Sequence, residues 1–506
     1  MAGHHANARK ITERISINGE LVLTTPTHFG NGRVRGDALV DMSLLLDDAE
    51  GVGRALIPGA TITGALRNYL REQIHGYAEK ESRQVATGIS HLFGPPSAAL
   101  DKDKGTGKIL QWDQSLLIVD DALARSQDLT LRDGVAINAK TGTAEDSAKF
   151  DVELLEAGAI FDLHFDLLLT EQQRAEQLLP YVAAALQGLE SGEIRLGLRK
   201  RRGYGQCCVK RWTVSRYDLT NPADLCEWLE TPTTGQRTEA ISHAHIAQVL
   251  NATPLQEEDQ RRQFKLLATF GLAGSSVLIR SGFGEADSGP DMEHLHALNT
   301  QGKRVPVISG TSWAGVIRHR ALRIANTLAG ANSAAEARAA EIVNRLFGDM
   351  PEGALRGQAS KVTVDETQVQ HGQSLYQTRV RIDRFTGGAF PTALFEQAPV
   401  YGRPETVINF ALHVRNPESY ETGLLLLVLK DLWTSDLSVG GEASVGRGRL
   451  QGIQASLLLP DQAPVELDQA QPALGLTVEQ RAELERPVAA LWNKLHQPRE
   501  ETNGAE

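Results

Sequence analysis

The chain has 506 residues, of which 41% are hydrophobic and 23% are charged, and its formal net charge is −11. This length is about three times that of a usual domain, so we expect more than one domain. No apolar run approaches the roughly twenty residues of a membrane span, and no apolar segment follows the charged N-terminus. We therefore expect a cytoplasmic protein without a secretory signal or membrane contact. The three cysteines, Cys207, Cys208 and Cys226, match no zinc-site or disulfide spacing.

The first half of the chain alternates strand and helix signals. Residues 15–23 alternate apolar and polar side chains and predict a strand, after which a polar, glycine-rich loop follows. A turn then precedes a helix predicted over 61–75, with Thr61 as its N-cap. Residues 160–167 alternate again and predict a strand, and a second helix is predicted over about 171–190. Strand, helix, strands, helix and strand in this order are typical of a ferredoxin-like, or RNA-recognition-motif, fold.

Six landmarks of the first half return in the same order about 250 residues later. The pairs are Asp41-Met42 with Asp291-Met292, Ile57–Arg67 with Ile308–Arg318, Leu92-Phe-Gly94 with Leu346-Phe-Gly348, Val119-Asp-Asp121 with Val364-Asp-Glu366, Val135–Ala144 with Val380–Ala389, and Gly197, Gly203 and Gly205 with Gly440, Gly446 and Gly448. Six matches in register indicate an internal repeat. The second copy predicts helices over 311–328, capped by Thr311 or Ser312, and over about 420–433.

The repeat predicts an α+β chain of two tandem ferredoxin-like modules, each with an inserted hairpin. We assign the modules to residues 1–215 and 256–455, with a linker over 216–255 between them. Residues 456–506 form a C-terminal tail, in which the spacing of apolar residues predicts an amphipathic helix over about 476–497.

A cluster of basic residues lies late in the first copy. The segment from Arg195 to Arg211 carries seven basic residues and no acidic one, on a chain that is acidic as a whole. Such a cluster predicts a local track for RNA, because phosphate binding needs positive charge. The glycines within it would let backbone amides approach phosphates. The alternative is a glycine-rich turn flanked by solvated arginines, and the second copy lacks the basic cluster over 442–448.

The Ile-Pro-Gly block at Ile57–Arg67, the Leu-Phe-Gly at 92–94 and the basic, glycine-rich block at 197–205 resemble the RAMP superfamily of CRISPR systems. Within it the chain looks most like the backbone subunit of type III effector complexes. Two modules in one chain are similar to the fused double-module backbone protein of type III-D variant complexes. The resemblance implies a metal-dependent endoribonuclease of antiviral defence, acting within a ribonucleoprotein. Its implied partners are the CRISPR guide RNA, target single-stranded RNA and other type III subunits, namely backbone neighbours and the large signature subunit.

The resemblance also implies which residues act. Asp41 and Asp291, in equivalent loops, would each support one cleavage of the target with a divalent metal such as Mg2+. Asp37 and Asp287 compete with them within the same loops. The implied RNA-binding residues, including those of a thumb hairpin that wedges into the guide–target duplex, are Gly59, Arg67, Ile137, Thr141, Arg199, Lys200, Arg201, Arg202, Gly203 and Gly205 in the first copy, and Gly310, Arg318, Arg381, Ile382, Arg384 and Phe385 in the second.

Two other functions remain open at this point. The chain could be a catalytically silent scaffold that holds guide RNA and neighbouring subunits. It could also be a metal-independent endonuclease that processes guide precursors and centres on His28. The repeat predicts Ser281 or Gly282 as the counterpart of His28, which disfavours a histidine chemistry shared by both copies.

Overall fold

An antiparallel β-sheet with helices packed against it forms the centre of each half of the chain. We call the part from 11 to 249 the first module and the part from 263 to 496 the second module. The computed structural model describes residues 10–32, 40–48, 51, 53–77, 88–94, 114–138, 141, 143–171, 175–231, 240–282, 289–350 and 357–497.

The first module contains ten strands and five helices among its described residues. The strands are β1 (Ile11–Leu23), β2 (Leu46–Asp47), β3 (Arg54–Ile57), β4 (Leu117–Val119), β5 (Ala122–Ser126), β6 (Leu129–Ile137), β7 (Ala144–Leu155), β8 (Ile160–Thr170), β9 (Cys207–Asp218) and β10 (Ile241–His243). The helices are α1 (Gly59–His75), α2 (Gly88–Phe93), α3 (Ala175–Glu190), α4 (Pro222–Glu230) and α5 (Ile246–Val249).

The second module contains fifteen strands and four helices in the described part of the chain. The strands are β11 (Gln263–Leu272), β12 (Ser276–Val277), β13 (Arg280–Ser281), β14 (Met292–His294), β15 (His296–Leu298), β16 (Arg304–Ile308), β17 (Val362–Val364), β18 (Thr367–Gln370), β19 (Gln373–Ser374), β20 (Gln377–Ile382), β21 (Ala389–Ala398), β22 (Val400–Tyr401), β23 (Val407–Arg415), β24 (Leu450–Leu458) and β25 (Val465–Asp468). The helices are α6 (Gly310–Ala329), α7 (Ser333–Phe347), α8 (Ser419–Trp433) and α9 (Val478–His496).

Both main sheets share one topology. In the first sheet the order is β10-β9-β1-β8-β5-β3-β2, and in the second it is β15-β16-β18-β23-β11-β24-β25, with β4 and β17 pairing to β8 and β23. The opening strand of each module lies in the middle of its sheet, β1 between β9 and β8 and β11 between β24 and β23, as in a ferredoxin-like sheet. The predicted α+β class with two tandem ferredoxin-like modules is confirmed.

Alternation along the strands buries one face of each sheet under the helices. In β1, Ile15 and Ile17 point to the same face, because side chains two residues apart share a side of a strand. Both are fully buried with Leu66 of α1 and Leu186 of α3. In the second module Phe264 of β11 is buried in the corresponding core. Burial of such apolar surface is the main force that holds each module together.

The segments between and after the two sheets add structure to both modules. Over 216–255, the segment predicted as a linker, β10 pairs with β9 and α5 packs Ile246 and Val249 into the first core. In the C-terminal segment β25 pairs with β24, and α9 packs against α8. This helix contact requires Gly423, since a Cβ there would overlap the carbonyl oxygen of Pro487. No helix in the described ranges is long and apolar enough to cross a membrane.

The first helix of each module begins earlier than the sequence predicts. Pro58 and Ser309 are the N-cap residues, both in extended conformation, so Gly59 and Gly310 take the first helical positions. The predicted caps Thr61 and Thr311 or Ser312 are wrong for this reason. A Cβ at Gly59 would overlap the carbonyl oxygen of Val119, and a Cβ at Gly310 that of Arg202.

The two modules contact each other through an ion pair that is nearly excluded from solvent. The side chains of Arg132 and Glu366 are 4% and 5% exposed, and Arg132 Nη2 donates to Glu366 Oε1 at 3.1 Å alongside a second, shorter contact. Burial disfavours the Arg132 cation, but the attraction and hydrogen bonds of Glu366 outweigh it and raise the pKa of Arg132. Around this pair, Arg195 lies 2.5 Å from Asp365, and Gln206 donates to the same carboxylate at 2.9 Å.

We predict that Arg132→Ala destabilises the chain by about 3–5 kcal/mol, because it leaves the Glu366 carboxylate buried without its partner. Urea unfolding at pH 7 measures the change. The double substitution R132M/E366L should recover most of the loss, since well-packed apolar residues often replace a buried ion pair at little cost. A loss below about 1 kcal/mol in R132A, as for exposed pairs, would contradict the burial of this contact.

A second prediction concerns acid stability. Burial, reinforced by the charge of His296, lowers the pKa of His294 to about 3, and Ile279 N donates to His294 Nδ1 at 3.1 Å. Unfolded histidine titrates near pH 6.5, so below that pH the unfolded chain binds one proton more than the folded chain. This histidine therefore removes about 1.4 kcal/mol of stability per pH unit between about 6.5 and 3. His294→Leu, which copies Leu44 of the first module, should flatten the dependence of unfolding free energy on pH in this range.

Candidate nucleic-acid interface

The two predicted catalytic aspartates occupy equivalent positions at the bases of the inserted hairpins. Asp41 is exposed, and its Oδ2 accepts a hydrogen bond from Asp151 N of β7 at 2.9 Å. Asp291 is also exposed, and its Oδ2 accepts from Glu396 N of β21 at 2.8 Å. The methionine after each aspartate forms a parallel bridge to the same hairpin strand. The structure thus holds both carboxylates by the same main-chain contact.

The donor set at each aspartate fits a cation bound jointly with phosphate. Asp41 and Asp291 each have one oxygen held by a main-chain amide, and the residue that supplies this amide, Asp151 or Glu396, is itself acidic. Asp151 Oδ1 is buried without a hydrogen-bond partner. Within the described ranges no group of three or more His, Cys, Asp or Glu side chains could form a complete protein site. Mg2+ is commonly held by one or two carboxylates plus substrate phosphates and water. Asp37 and Asp287 lie outside the described residues.

The predicted hairpins are present and carry apolar side chains in solvent. In the first, β6 pairs antiparallel with β7, Ile137 is exposed, and the turn is held by Asn138 N donating to Thr143 O and by a hydroxyl contact with Thr141. In the second, β20 pairs with β21, Ile382 is exposed, and Phe385 is 97% exposed at the turn. Exposed apolar residues on a projecting hairpin are typical of a surface that contacts another molecule.

The basic loop, Arg199–Gly205, lies at the contact between the modules. Arg199 has a left-handed backbone and places its guanidinium 4.2 Å from the ring centroid of Phe150, while Arg201 donates to the carbonyl of Ser360 in the second module. Lys200 and Arg202 are exposed. Arg199 and Arg201 are therefore partly engaged within the protein, and Lys200 and Arg202 offer their charge to solvent.

The two glycines of the basic loop serve packing. Gly203 and Gly205 are buried, and a Cβ at Gly203 would lie 2.6 Å from Glu366 N of the second module. A Cβ at Gly205 would overlap the carbonyl oxygen of Leu196. Their positive φ angles of 89° and 80° also favour glycine. The sequence had suggested direct approach to phosphates, whereas the structure gives these residues close contact with protein.

Cations of the two modules meet around the basic loop. Burial and the charge of Arg202 lower the pKa of Arg199 and of Arg318, the latter on α6 of the second module. Partial burial also lowers the pKa of Lys200 and of Arg201, and the positive charge of Arg415 lowers both pKa values further. Like charges held together raise the local potential and favour an anion beside them.

The helix arginines of both copies reach the Leu-Phe-Gly segments. Arg67 Nη1 lies 3.5 Å from Phe93 O, and Arg318 donates to Gly348 O at 3.0 Å and to Asn344 Oδ1 at 2.8 Å. These arginines thus bind carbonyls at the ends of α2 and α7, a structural role that the sequence did not reveal. The sequence contained a signal for this contact, because the arginine and the Leu-Phe-Gly segment both recur in the second copy.

The second copy keeps the geometry of the basic loop with different charges. Glu442 replaces Arg199 and shares its left-handed backbone, with φ of 58° against 54°. It forms ion pairs with Arg379 at 3.1 Å and with Arg447 at 2.9 Å. Arg379 also lies 5.6 Å from the ring centroid of Phe395, the counterpart of Phe150. The second copy therefore also places a cation over the equivalent ring, Phe395. This cation, Arg379, belongs to the hairpin, and Glu442 neutralises its charge.

Two further predicted arginines lie on the second hairpin. Arg381 places its guanidinium 5.0 Å from the ring centroid of Phe390, and Arg384 is exposed beside Phe385 at the turn. Both cations thus belong to the hairpin and not to the loop over 442–448.

His28 is buried and has a structural partner. Its Nδ1 lies 2.8 Å from Glu153 O, and its own carbonyl accepts a hydrogen bond from Leu198 N. In the second module Leu278 O accepts the equivalent bond from Gly441 N. The counterpart of His28 is therefore Leu278, and the expectation of Ser281 or Gly282 is wrong, because the copies stay in one register from here to Asp41 and Asp291.

Comparison with known proteins matches both halves of the chain to one family. The sequence profile of the RAMP superfamily matches residues 20–208 and 239–451, which is more than half of the chain. Each matched range contains the inserted hairpin of one module and one of the two candidate aspartates. No curated protein matches the chain.

Proposed function

Because the chain belongs to the RAMP superfamily, we propose that it is a guide-RNA-binding backbone subunit of a type III CRISPR effector complex in its double-module form. In this role it binds CRISPR guide RNA, receives target single-stranded RNA paired to the guide, and cuts that target once per module. Its other partners would be neighbouring backbone subunits and the large signature subunit of a cytoplasmic ribonucleoprotein. Sequence selection would come from pairing with the guide, as in other guide-directed effectors.

The equivalent placement of Asp41 and Asp291 carries this proposal. Both carboxylates are exposed, and a main-chain amide fixes one oxygen of each, so that little reorganisation is needed when RNA arrives. The aspartates would hold a divalent cation such as Mg2+, whose chemistry is to neutralise charge on a scissile phosphate. Each aspartate would also orient the attacking 2′-hydroxyl of the target, a group whose position decides the reactivity of the neighbouring phosphate.

The hairpins and the basic loop supply the grip on RNA. The exposed Ile137 and Ile382 lie on the hairpins whose strands bond the two aspartates, and there they would wedge into the guide–target duplex and expose one phosphate to cleavage. Lys200 and Arg202 would bind phosphates of the guide across the module contact. Aromatic residues are only 5% of the chain, so charge rather than base stacking would supply most of the affinity.

A catalytically silent scaffold is the second candidate. What favours it is that the basic loop and the exposed hairpins would hold RNA without any contribution from the aspartates. Under it, guide and target would bind as proposed, but no target product would form with or without metal. A processing endonuclease centred on His28 receives no such support, since that ring is buried and bonded to a carbonyl.

We predict that Lys200→Ala with Arg202→Ala weakens guide RNA binding and lowers the slope of log affinity against log salt by about 1.4. Each phosphate contact on a single strand contributes about 0.7 to this slope. Filter binding of guide RNA between low and moderate salt measures it. K210A/R211A, which removes two exposed cations of β9 outside the loop, is the matched control and should leave the slope unchanged. Equal effects of both pairs would mean that the loop is not a distinct RNA site.

We predict that Asp41→Ala and Asp291→Ala each remove one product of target cleavage, by about 10² to 10⁴-fold in rate, and that the double variant removes both. Guide and target binding should persist, because one carboxylate adds little to affinity. Cleavage of end-labelled target by the assembled complex, with and without a chelator, is the measurement.

Two controls sharpen this experiment. Asp41→Asn retains an acceptor for Asp151 N but removes the charge, so it should be as inactive as Asp41→Ala if the carboxylate binds metal. Asp461→Asn alters an exposed aspartate far from the hairpins in the chain and should keep both products. If a single alanine variant retains every product, its aspartate is structural. If wild type yields no product in Mg2+, the scaffold function holds.

A further inference from the structure

The first hairpin makes a second contact with the second module, beside the strands that carry Asp291. Asp133 lies on β6, and its Oδ1 accepts a hydrogen bond from Gly282 N at 3.0 Å. A Cβ at Gly282 would lie 2.4 Å from Asp133 Oδ2, so the carboxylate covers this glycine closely. Neighbouring residues of a strand point to opposite faces, so Asp133 and Arg132 contact different parts of the second module.

Gly282 is connected to Asp291 through paired strands. It directly follows β13, which pairs antiparallel with β14 and places Ser281 opposite Glu293. Asp291 directly precedes β14, which pairs parallel with β21, the hairpin strand whose Glu396 N binds the Asp291 carboxylate. Coupling between sites is carried by such contiguous hydrogen-bonded elements. A displacement of Gly282 should therefore reach the start of β14 and the Asp291 carboxylate.

The equivalent glycine of the first module has no such cover. Gly32 is the counterpart of Gly282, since both stand at the same distance before their aspartates, Asp41 and Asp291. A Cβ at Gly32 would meet nothing within 4 Å, whereas a Cβ at Gly282 would overlap the Asp133 carboxylate. In the described part of the chain, this position is thus open in the first module and held in the second.

The strands beside the two aspartates differ in the same way. In the first module the equivalents of the β13–β14 and β14–β21 pairings are isolated bridges, Gly30 with Leu44 and Met42 with Val152. In the second module each pairing is a ladder of two residue pairs. The longer pairings therefore occur in the module that Asp133 contacts.

We propose that Asp133 is a positioning residue for the second candidate site, because it holds Gly282 and, through β13 and β14, the Asp291 carboxylate. The inference rests on the proposed function, which assigns one target cut to Asp291. It goes beyond that function in making the second cut, and not the first, depend on a contact between the modules.

Asp133→Ala tests the proposal in the assembled complex with end-labelled target and Mg2+. The product that Asp291→Ala removes should form about tenfold to a hundredfold more slowly, because a small displacement of a catalytic group carries a cost of this size. The product that Asp41→Ala removes should form at the wild-type rate and is the internal reference. A general loss of stability would slow both products alike.

Two variants separate the hydrogen bond from other effects. Asp133→Asn keeps an acceptor for Gly282 N and should restore most of the second product. Thr378→Ala alters the equivalent position of the second hairpin, since Thr378 lies opposite Glu396 as Asp133 lies opposite Asp151. It should leave both products unchanged, whereas it would slow the second product if a residue at this position acted on its own module.

Hydrogen exchange in the full RNA-free chain tests the positioning without any cleavage. The amides of Gly282 and β14 should exchange at least about tenfold faster in D133A than in wild type, because a hydrogen bond to a charged group is lost. D133N should remain close to wild type, and the amides of residues 42–44 should not change in either variant. A wild type without product would overturn the proposed function, and exchange would then decide the role of Asp133.

Unchanged exchange in a folded D133A would overturn the inference. Slowing of the first product, alone or equally with the second, would also overturn it, as would a D133N as slow as D133A. If circular dichroism shows D133A unfolded, Asp133→Thr replaces it, since it copies Thr378 and suits a strand. Its hydroxyl lies one bond closer to the main chain than the carboxylate oxygens, so it should lose the bond to Gly282 N and give the results expected of D133A.

Discussion

The ion pair between Arg132 and Glu366 fixes the arrangement on which the rest of the molecule depends. It joins the base of the first hairpin to the second sheet, and both side chains are almost fully buried. A buried pair tolerates little displacement, because separating the charges leaves each without solvent or partner. The pair therefore sets the direction of the second module relative to the first. Because the two modules are held in this arrangement, the fold also determines the distance between Asp41 and Asp291.

The same contact creates the positive surface. Arg202 belongs to the first module, and its charge, after burial, lowers the pKa of Arg318 in the second. Arg415 of the second module acts likewise on Lys200 and Arg201. An acidic chain with a net charge of −11 thus concentrates cations where its halves meet, and neither half alone would present the full cluster. The proposed grip on RNA is in this sense a property of the junction.

The sequence predicted the repeat and the topology, because both depend on local patterns that recur in register. It also predicted that Asp41 and Asp291, which stand beside repeated methionines, occupy equivalent positions. It could not show that these carboxylates bind main-chain amides 110 and 105 residues away, since such contacts arise only when the hairpin folds back. For the same reason the sequence predicts that Gly203 contacts phosphate. In the structure its neighbour is Glu366, which belongs to the second module.

Joining two modules in one chain explains why the contact between them differs from the outer faces of the modules, which contact no other module of the chain. Within a chain the second module is held at a high effective concentration, so the contact needs little affinity of its own and can include a buried ion pair. An outer face has no such help, so without the ion pair it would gain less from docking a separate copy. Discrimination of this kind is commonly achieved by removing a required charge from the wrong partner. Strand pairing makes Gln377 the counterpart of Arg132, so the second module lacks the cation, and Asp121, the counterpart of Glu366, keeps the charge on a shorter side chain. The copies therefore differ by one cation and one methylene where a repeating chain would otherwise continue.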